Sequence, residues 1–293
     1  MSDPRSQPKA FTAHDLYSDA VGNLRAAGFD TPELDTNILL EHLAGITTLT
    51  RLTDPMTPVA MARVSAFQSA LERRMKGEPV HRIIGQREFY GIPFSLSPDT
   101  LVPRPDSETL IDMVGPIVEH QASQSGHCRV LDLGTGSGIL ALTLLTLAQN
   151  ATATGVDISP GALKVAQQNA RVLGLAGRFT GLQSNWFESV TGEFDVIISN
   201  PPYIARHEIA GLEADVRDHE PHLALDGGVD GLNAYAVIAS RALSFLKPNG
   251  VIAVEIGSDQ AASVCAIFEA AGFKTDHVAK DLGGRDRAIM FKP

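Results

Sequence analysis

Four short segments of this chain, VLDLG (130–134), ATGVDI (153–158), FDVIIS (194–199) and VIAVEIG (251–257), are apolar almost without interruption. A strand with one wet face alternates apolar and polar side chains, so unbroken runs belong to strands buried on both faces, the condition of a parallel sheet covered by helices. Stretches of helical character, Ala162 to Val172 and Ala234 to Leu246 among them, separate the runs. The repeating unit is therefore strand, helix, strand, and the sheet is largely parallel. Near the end, a strand-like run at His277 to Lys280 and RAIMFK (287–292) are separated by only a short Gly-rich turn. A parallel crossover needs about a dozen residues or more, so this last pair has to be antiparallel.

A doubly wound α/β sheet of seven strands, mostly parallel with an antiparallel last strand, fits the class I methyltransferase architecture better than the dinucleotide-binding one. The chain of 293 residues has room for more than that domain, and its 44% hydrophobic and 20% charged residues are those of an ordinary globular protein. Up to about Gly77 the pattern is helical. Thr31-Pro32-Glu33 has the form of an N-cap, a first-turn proline and an acidic first turn, followed by apolar Leu34, Ile38, Leu39 and Leu43. Thr57-Pro58 opens a second helix of the same kind, with Val64, Phe67, Ala70, Leu71 and Met75 as its stripe. From His81 to Arg104, Gly85, Gly91 and Pro93 break the chain into short apolar segments suited to a β-hairpin. The expected organisation is a small helical domain over 1–80, a hairpin connector over 81–104 and the α/β domain over 105–293.

Composition narrows the function classes. The N-terminal stretch MSDPRSQPKA has no apolar core of a leader peptide and no later stretch is a membrane span, so the expected location is the cytoplasm. Cys128 and Cys265 have neither disulfide-framework nor zinc-ligand spacing and are expected to be buried small hydrophobes; no metal is expected. His219-Glu220-Pro221-His222 is not HExxH, and these are expected to be ordinary loop residues, perched near the substrate entrance. A net charge of −10 argues against a protein that grips duplex DNA, whose affinity comes largely from cationic side chains on phosphates.

VLDLGTGSGIL is a strand feeding a Gly-rich turn and then a helix. Gly134, Gly136 and Gly138 let the backbone turn tightly and approach a ligand, and the helix N-terminus behind them offers free N–H groups. The spacing is GxGxG and not the GxGxxG of pyrophosphate binders; alone, it is weak evidence and leaves a purely structural turn as the lesser alternative. Asp157 ends the next strand, where a carboxylate can accept from ribose hydroxyls or, alternatively, cap the helix at Ser159-Pro160, a role open to Ser159 as well. The third strand is expected to end near QSNWF, setting Asn185 and Trp186 where an adenine ring would lie, although the single tryptophan could also belong to the core. The fourth strand stops at Ser199-Asn200-Pro201-Pro202-Tyr203. Two prolines end any ladder, so a strand terminator is the simplest reading. Open α/β sheets bind ligands at the carboxyl ends of their strands, however, and all four features converge there.

With GxGxG, the acidic end of the second strand and NPPY together, the chain resembles S-adenosylmethionine-dependent N-methyltransferases acting on planar nitrogen. GEPVHRIIGQREFYGIPFSLSPDTLVPRPDSE, SNWF, SNPPYI, EPHLALDGGVDGL and EIG further resemble the HemK/PrmC family, the protein-(glutamine-N5) methyltransferases of peptide chain release factors; the likeness is weakest over the helical N-terminal part. The resemblance implies that Gly134, Thr135, Gly136, Ser137 and Gly138 bind the methionine part of S-adenosylmethionine and that Asp157 binds ribose. It implies that Trp186 lies by adenine with Asn185 beside it, and that Asn200, Pro201, Pro202 and Tyr203 receive the glutamine of a GGQ motif, Asn200 also bordering the cofactor. Asn185 stands where many relatives have Asp, and Ser107 where Thr is commoner. The implied partner is a release factor, bound by a monomer with no direct nucleic-acid contact and no membrane.

An amide nitrogen is a poor nucleophile because its lone pair is delocalised. Asn200's side-chain oxygen and the Pro201 carbonyl can each accept one substrate N–H, orienting that nitrogen, and Tyr203 can pack against the flat amide. The rival substrates are a glutamine of a large-subunit ribosomal protein and the exocyclic nitrogen of DNA adenine, a base that has to be flipped out. Asp15, Asp19, Glu33, Asp35 and Glu41 in the helical domain disfavour the nucleic acid. Arg104 and Glu108 either pair or order the pocket, and Gly115-Pro116 are expected to kink the helix they precede.

Overall fold

The computed structural model describes residues 11–293, so the N-terminal stretch considered for a leader lies outside the described residues. The chain divides into two units, 1–85 and 86–293. The second opens with a hairpin, β1 (Gln86–Phe89) and β2 (Ile92–Ser95), and continues into a sheet of seven strands. These are β3 (Cys128–Leu133), β4 (Ala151–Asp157), β5 (Phe179–Gln183), β6 (Phe194–Ser199), β7 (Leu246–Glu255), β8 (Lys274–Lys280) and β9 (Asp286–Lys292), in the order β5-β4-β3-β6-β7-β9-β8. The four apolar runs are thus the four neighbouring central strands, all parallel. β9 lies antiparallel between β7 and β8.

Why the runs are unbroken is visible in their packing. Successive strand residues point to opposite faces. Val130, Ala153, Ile198 and Ala253 pack with Leu110, Val114, Leu144 and Ala166 of the helices Glu108–Gln124, Ile139–Leu147 and Pro160–Val172. Leu131, Val156, Ile197 and Ile252 face the other way, against Tyr235, Ile238, Val264 and Phe268 of the helices Asn233–Ala242 and Ala261–Ala270. Both faces are dry, which the alternating pattern of a half-exposed sheet could not supply. Gly115-Pro116 do not precede a helix but lie within Glu108–Gln124. Cys128 is buried, with its thiol pushed up to about 12 mainly by burial, whereas Cys265 is only partly covered.

The first unit is helical. Leu16, Leu24, Leu39, Leu40, Val64 and Phe67 are among its buried apolar residues. Its first helix, Ala13–Ala26, begins with a capping box between Thr12 and Asp15. Thr31 stands at the expected N-cap of Pro32–Leu39, but its hydroxyl bonds the Asp35 side chain at 3.3 Å and caps no backbone N–H. Leu34 is turned to solvent at 57% exposure because the helix buries its Leu39 side. The helix expected from Thr57-Pro58 begins at Met61, since Pro58 is drawn into a bridge with Thr12. Among the described residues no helix is long and apolar enough to cross a membrane.

Candidate active site

β3 delivers the chain into the Gly-rich turn. The Val156 carbonyl at the end of β4 accepts from both Gly134 and Thr135 N–H at 2.8 Å, pulling the turn over the neighbouring strand. Gly134, Gly136 and Gly138 all have positive φ, at 72°, 55° and 83°, where a side chain is strained. A Cβ on Gly136 meets nothing within 4 Å, and one on Gly134 meets only the Asn200 carbonyl, at 4.0 Å. At Gly134 and Gly136 the turn therefore presents bare backbone to open space, whereas Gly138 packs against Leu142 and Ala166. Beneath it sits Asp132, an isolated carboxylate in the apolar VLDLG run that the sequence reading passed over. Its Oδ2 accepts from the Thr135 hydroxyl at 2.7 Å and the Ala141 N–H at 3.3 Å, binding the turn to the helix behind it. Burial pushes this carboxyl up to about 7, against the opposing hydrogen bond from Thr135.

Asp157 joins the same turn. Its Oδ2 accepts from Gly136 N–H and its Oδ1 from Ser159 N–H, each at 2.9 Å. Ser159, not Asp157, caps the following helix by accepting from Ala162. Each Asp157 oxygen keeps a further lone pair for an incoming hydroxyl. Burial raises its pKa, against the N–H groups of Ser159 and Gly136. Past the end of β5, Trp186 adopts a φ of 50°, unusual for a bulky residue, and is half-buried against the second apolar cluster. The side chain is both core and rim, so the two readings of it are not exclusive. Asn185 is exposed and spends an amide N–H on Glu188 at 2.9 Å.

At β6 the register pairs Ser199 with Leu133, and the Ser199 hydroxyl donates to the Leu133 carbonyl at 2.7 Å. This fixes Asn200 beside Gly134. The Asn200 Nδ2 donates to Ser107 Oγ at 3.2 Å, which directs its other amide atom, Oδ1, away from Ser107. The NPPY backbone is clamped by the segment around Asp226-Gly227-Gly228. Ile204 N–H donates to Leu225 O at 3.1 Å and Gly227 N–H to Ile204 O at 2.9 Å. A Cβ on Gly227 would lie 2.8 Å from the Pro202 carbonyl, and one on Gly231 would lie 2.3 Å from that of Tyr203. The glycines of DGGVDG are there to admit the NPPY backbone. Gln260 Nε2 donates to the Tyr203 carbonyl at 2.9 Å, completing the clamp. Burial pushes the Tyr203 phenol up to about 12, and the nearby Glu255 adds to it, so the ring is a neutral wall.

Of the two alternatives for Arg104 and Glu108, mutual pairing is not the one formed, and the expectation for Glu220 is corrected. Arg104 pairs with Glu220 at 3.3 Å and not with Glu108, whose Oε1 accepts from Tyr90 N–H at 2.8 Å. Glu220 is no ordinary loop residue: it is buried, and its second oxygen accepts from Val102 N–H at 3.1 Å, tying the VPR segment to the end of the helix Ala214–His219. No group of histidine, cysteine and carboxylate side chains suited to a metal is found among the described residues.

The bare glycine backbone, the carboxylate at the end of β4 with lone pairs to spare and the half-exposed indole past β5 suit the methionine, ribose and adenine parts of S-adenosylmethionine. Over residues 124–282 the chain matches the family described as a methyltransferase domain, and over 15–85 the one described as the PrmC N-terminal domain. A methyltransferase structure from Pyrococcus furiosus, 17% identical, aligns with 78% of this chain and 98% of that one at a TM-score of 0.51, a likeness of fold. Fold and site define a class I methyltransferase that uses S-adenosylmethionine. The release factor glutamine methyltransferase of Agrobacterium fabrum is 45% identical over 269 residues, covering 92% of this chain and 93% of that one. That of Cereibacter sphaeroides is 44% identical over 280 residues, covering 94% and 97%. The chain belongs to the release factor glutamine methyltransferase family.

Proposed function

We propose that this enzyme transfers a methyl group from S-adenosylmethionine to the N5 side-chain nitrogen of a glutamine in peptide chain release factors, the residue of their GGQ motif. The observation that carries the reading is the juxtaposition of two unlike turns: glycine backbone at 134–138 and, 4.0 Å from the Cβ position of Gly134, the carbonyl of Asn200 that begins NPPY. When bound, S-adenosylmethionine supplies a methyl group on a sulfonium centre, open to in-line displacement.

Gly134, Thr135, Gly136, Ser137 and Gly138 hold the methionine part, Asp157 the ribose, and Trp186, with Asn185 at the rim, the adenine. Asn200 Oδ1 and the Pro201 carbonyl accept the two N–H groups of the glutamine amide, fixing its nitrogen and opposing its planarity. Both acceptors also stabilise the positive charge that grows on that nitrogen. Pro201 and Pro202 hold the carbonyl rigid, and the uncharged Tyr203 ring closes the pocket against the flat amide. The methylated amide cation is acidic enough to lose its proton to water, so no buried base is required. A net charge of −10 supports a protein substrate over nucleic acid, and the proposal takes the enzyme as a monomer acting in the cytoplasm, where release factors are found.

Labelled S-adenosylmethionine offered with release factor, the ribosomal protein or duplex DNA tests the substrate: label is expected on release factor, and label on DNA alone refutes the proposal. Asn200→Ala is expected to keep cofactor binding and lose about 100-fold in turnover. Turnover equal to the parent removes Asn200 from the chemistry.

A further inference from the structure

Behind the NPPY turn lies a carboxylate that the reaction as described does not use. Glu255, the last residue of β7, is 1% exposed, and its Oε2 has no hydrogen-bond partner among the described residues. A buried charge without full pairing is costly, so its retention needs a reason. The adjacent cation is Arg287 on β9, but that guanidinium is already divided. It donates to Asp281 Oδ2 at 3.1 Å and Ile256 O at 3.2 Å, and lies 3.5 Å from Asp106. What faces Glu255 on the substrate side is Ser107 and Asn200: the β6–β7 register, with Ser199 opposite Val254, sets Asn200 next to Glu255, and both side chains favour its ionised form. Asn200 Nδ2 donates to Ser107 Oγ at 3.2 Å. A hydroxyl that accepts from one side keeps its own proton to give, and the unpaired Oε2 of Glu255 is a buried carboxylate oxygen able to take it.

We propose that Glu255 is a positioning residue for methyl transfer: through Ser107, and directly, it holds the Asn200 amide with Nδ2 inward and Oδ1 toward the substrate nitrogen. The inference rests on the role given to Asn200 above. An asparagine amide has nearly the same shape in both orientations, and only its partners distinguish them. Flipped, Oδ1 would face a carboxylate and Nδ2 would meet the substrate N–H donor to donor. An ionised Glu255 forbids that flip. It also sets a negative charge behind the amide where positive charge develops.

Burial pushes the Glu255 carboxyl up to about 7, opposed by Ser107 and Arg287 and assisted by Asp106. Tyr203 and Tyr235 also border it, and both phenols are raised, so neither is charged near neutrality. In its acid form Glu255 can donate, and the orientation of Asn200 is no longer enforced. Turnover is therefore expected to rise with pH through the titration of Glu255.

The test compares the parent chain with Glu255→Gln, Ser107→Ala and Ser107→Thr, using labelled S-adenosylmethionine and release factor. Glu255→Gln and Ser107→Ala are expected to lower kcat about 100-fold while cofactor affinity and melting temperature hold. Ser107→Thr, which keeps the hydroxyl, is expected to recover most of what Ser107→Ala loses. The parent's rise of kcat through about pH 7 is expected to vanish in Glu255→Gln. Parent-like kcat in Glu255→Gln, or an unchanged pH profile, overturns the inference. Should Glu255→Gln not fold, equal activity of the two Ser107 variants overturns it. A parent chain that leaves release factor unlabelled overturns the proposed function, and the inference with it; label from parent and variants alike overturns the inference only.

Discussion

The two turns that meet at the carboxyl end of the sheet are built on opposite plans. After β3 the chain is all glycine freedom, and its shape is imposed from outside by the Asp132 and Asp157 carboxylates, which collect its N–H and hydroxyl groups. After β6 the chain is proline stiffness, and the freedom has been moved to the clamp, where Gly227 and Gly231 make room for the Pro202 and Tyr203 carbonyls. The first turn, with the N–H groups of Gly134, Thr135, Gly136 and Gly138 already spent within the fold, offers a ligand close approach to bare backbone, and the second offers acceptors. A nucleotide-like cofactor and an amide need those two faces, and a single kind of turn could not present both.

If the plans are independent, damage to one turn has to leave the other's task intact. The largest effect is expected from Gly231→Ala, whose Cβ would sit 2.3 Å from the Tyr203 carbonyl in a backbone of φ 77°. Turnover is expected to fall about 100-fold while cofactor affinity is kept. A matching loss of cofactor affinity in calorimetry breaks the comparison. Next, Asp132→Ala strands the Thr135 hydroxyl and the Ala141 N–H, at a cost of about 1–3 kcal/mol in urea unfolding and with weaker cofactor binding. At saturating cofactor its turnover is expected to stay near the parent's. Gly136→Ala adds no clash but places a side chain at φ 55°, so only conformational strain acts. About 1–2 kcal/mol of strain predicts roughly tenfold weaker cofactor binding, read by isothermal titration.

The smallest effect is on stability against pH. Burial raises the Asp132 carboxyl from 3.8 to about 7. A group held above its unfolded pKa binds its proton more tightly in the fold, so the stability it contributes is complete below the unfolded value and is lost as pH rises through the folded one. The melting temperature of the parent is therefore expected to decline between about pH 4 and pH 7, and that of Asp132→Asn to decline less.

Local pattern carried most of the fold and little of the clamp. The FDVIIS run became β6 residue for residue, since a strand buried on both faces leaves an unmistakable composition. The helix expected at Thr57-Pro58 starts later because a bridge to Thr12, distant in the chain, claims Pro58. Glycine turn, Asp157 and NPPY could be found from spacing, but Glu220 could not, because its partner Val102 lies 118 residues away. Asp132 and Glu255 did leave a signal. Each is a lone carboxylate inside an otherwise apolar strand, where only a paired or working group survives burial.

The placement of β9 between β7 and β8 carries a consequence for biosynthesis. β8 leaves the ribosome before β9, yet has no hydrogen-bonded neighbour in the sheet until β9 arrives to separate it from β7. Arg287, the guanidinium beside Glu255, travels on that late strand. Both ligand turns are translated early, but the charge balance behind the substrate pocket is completed only when β9 slots in, so a nascent chain lacking it holds the pieces of the catalyst without the catalyst.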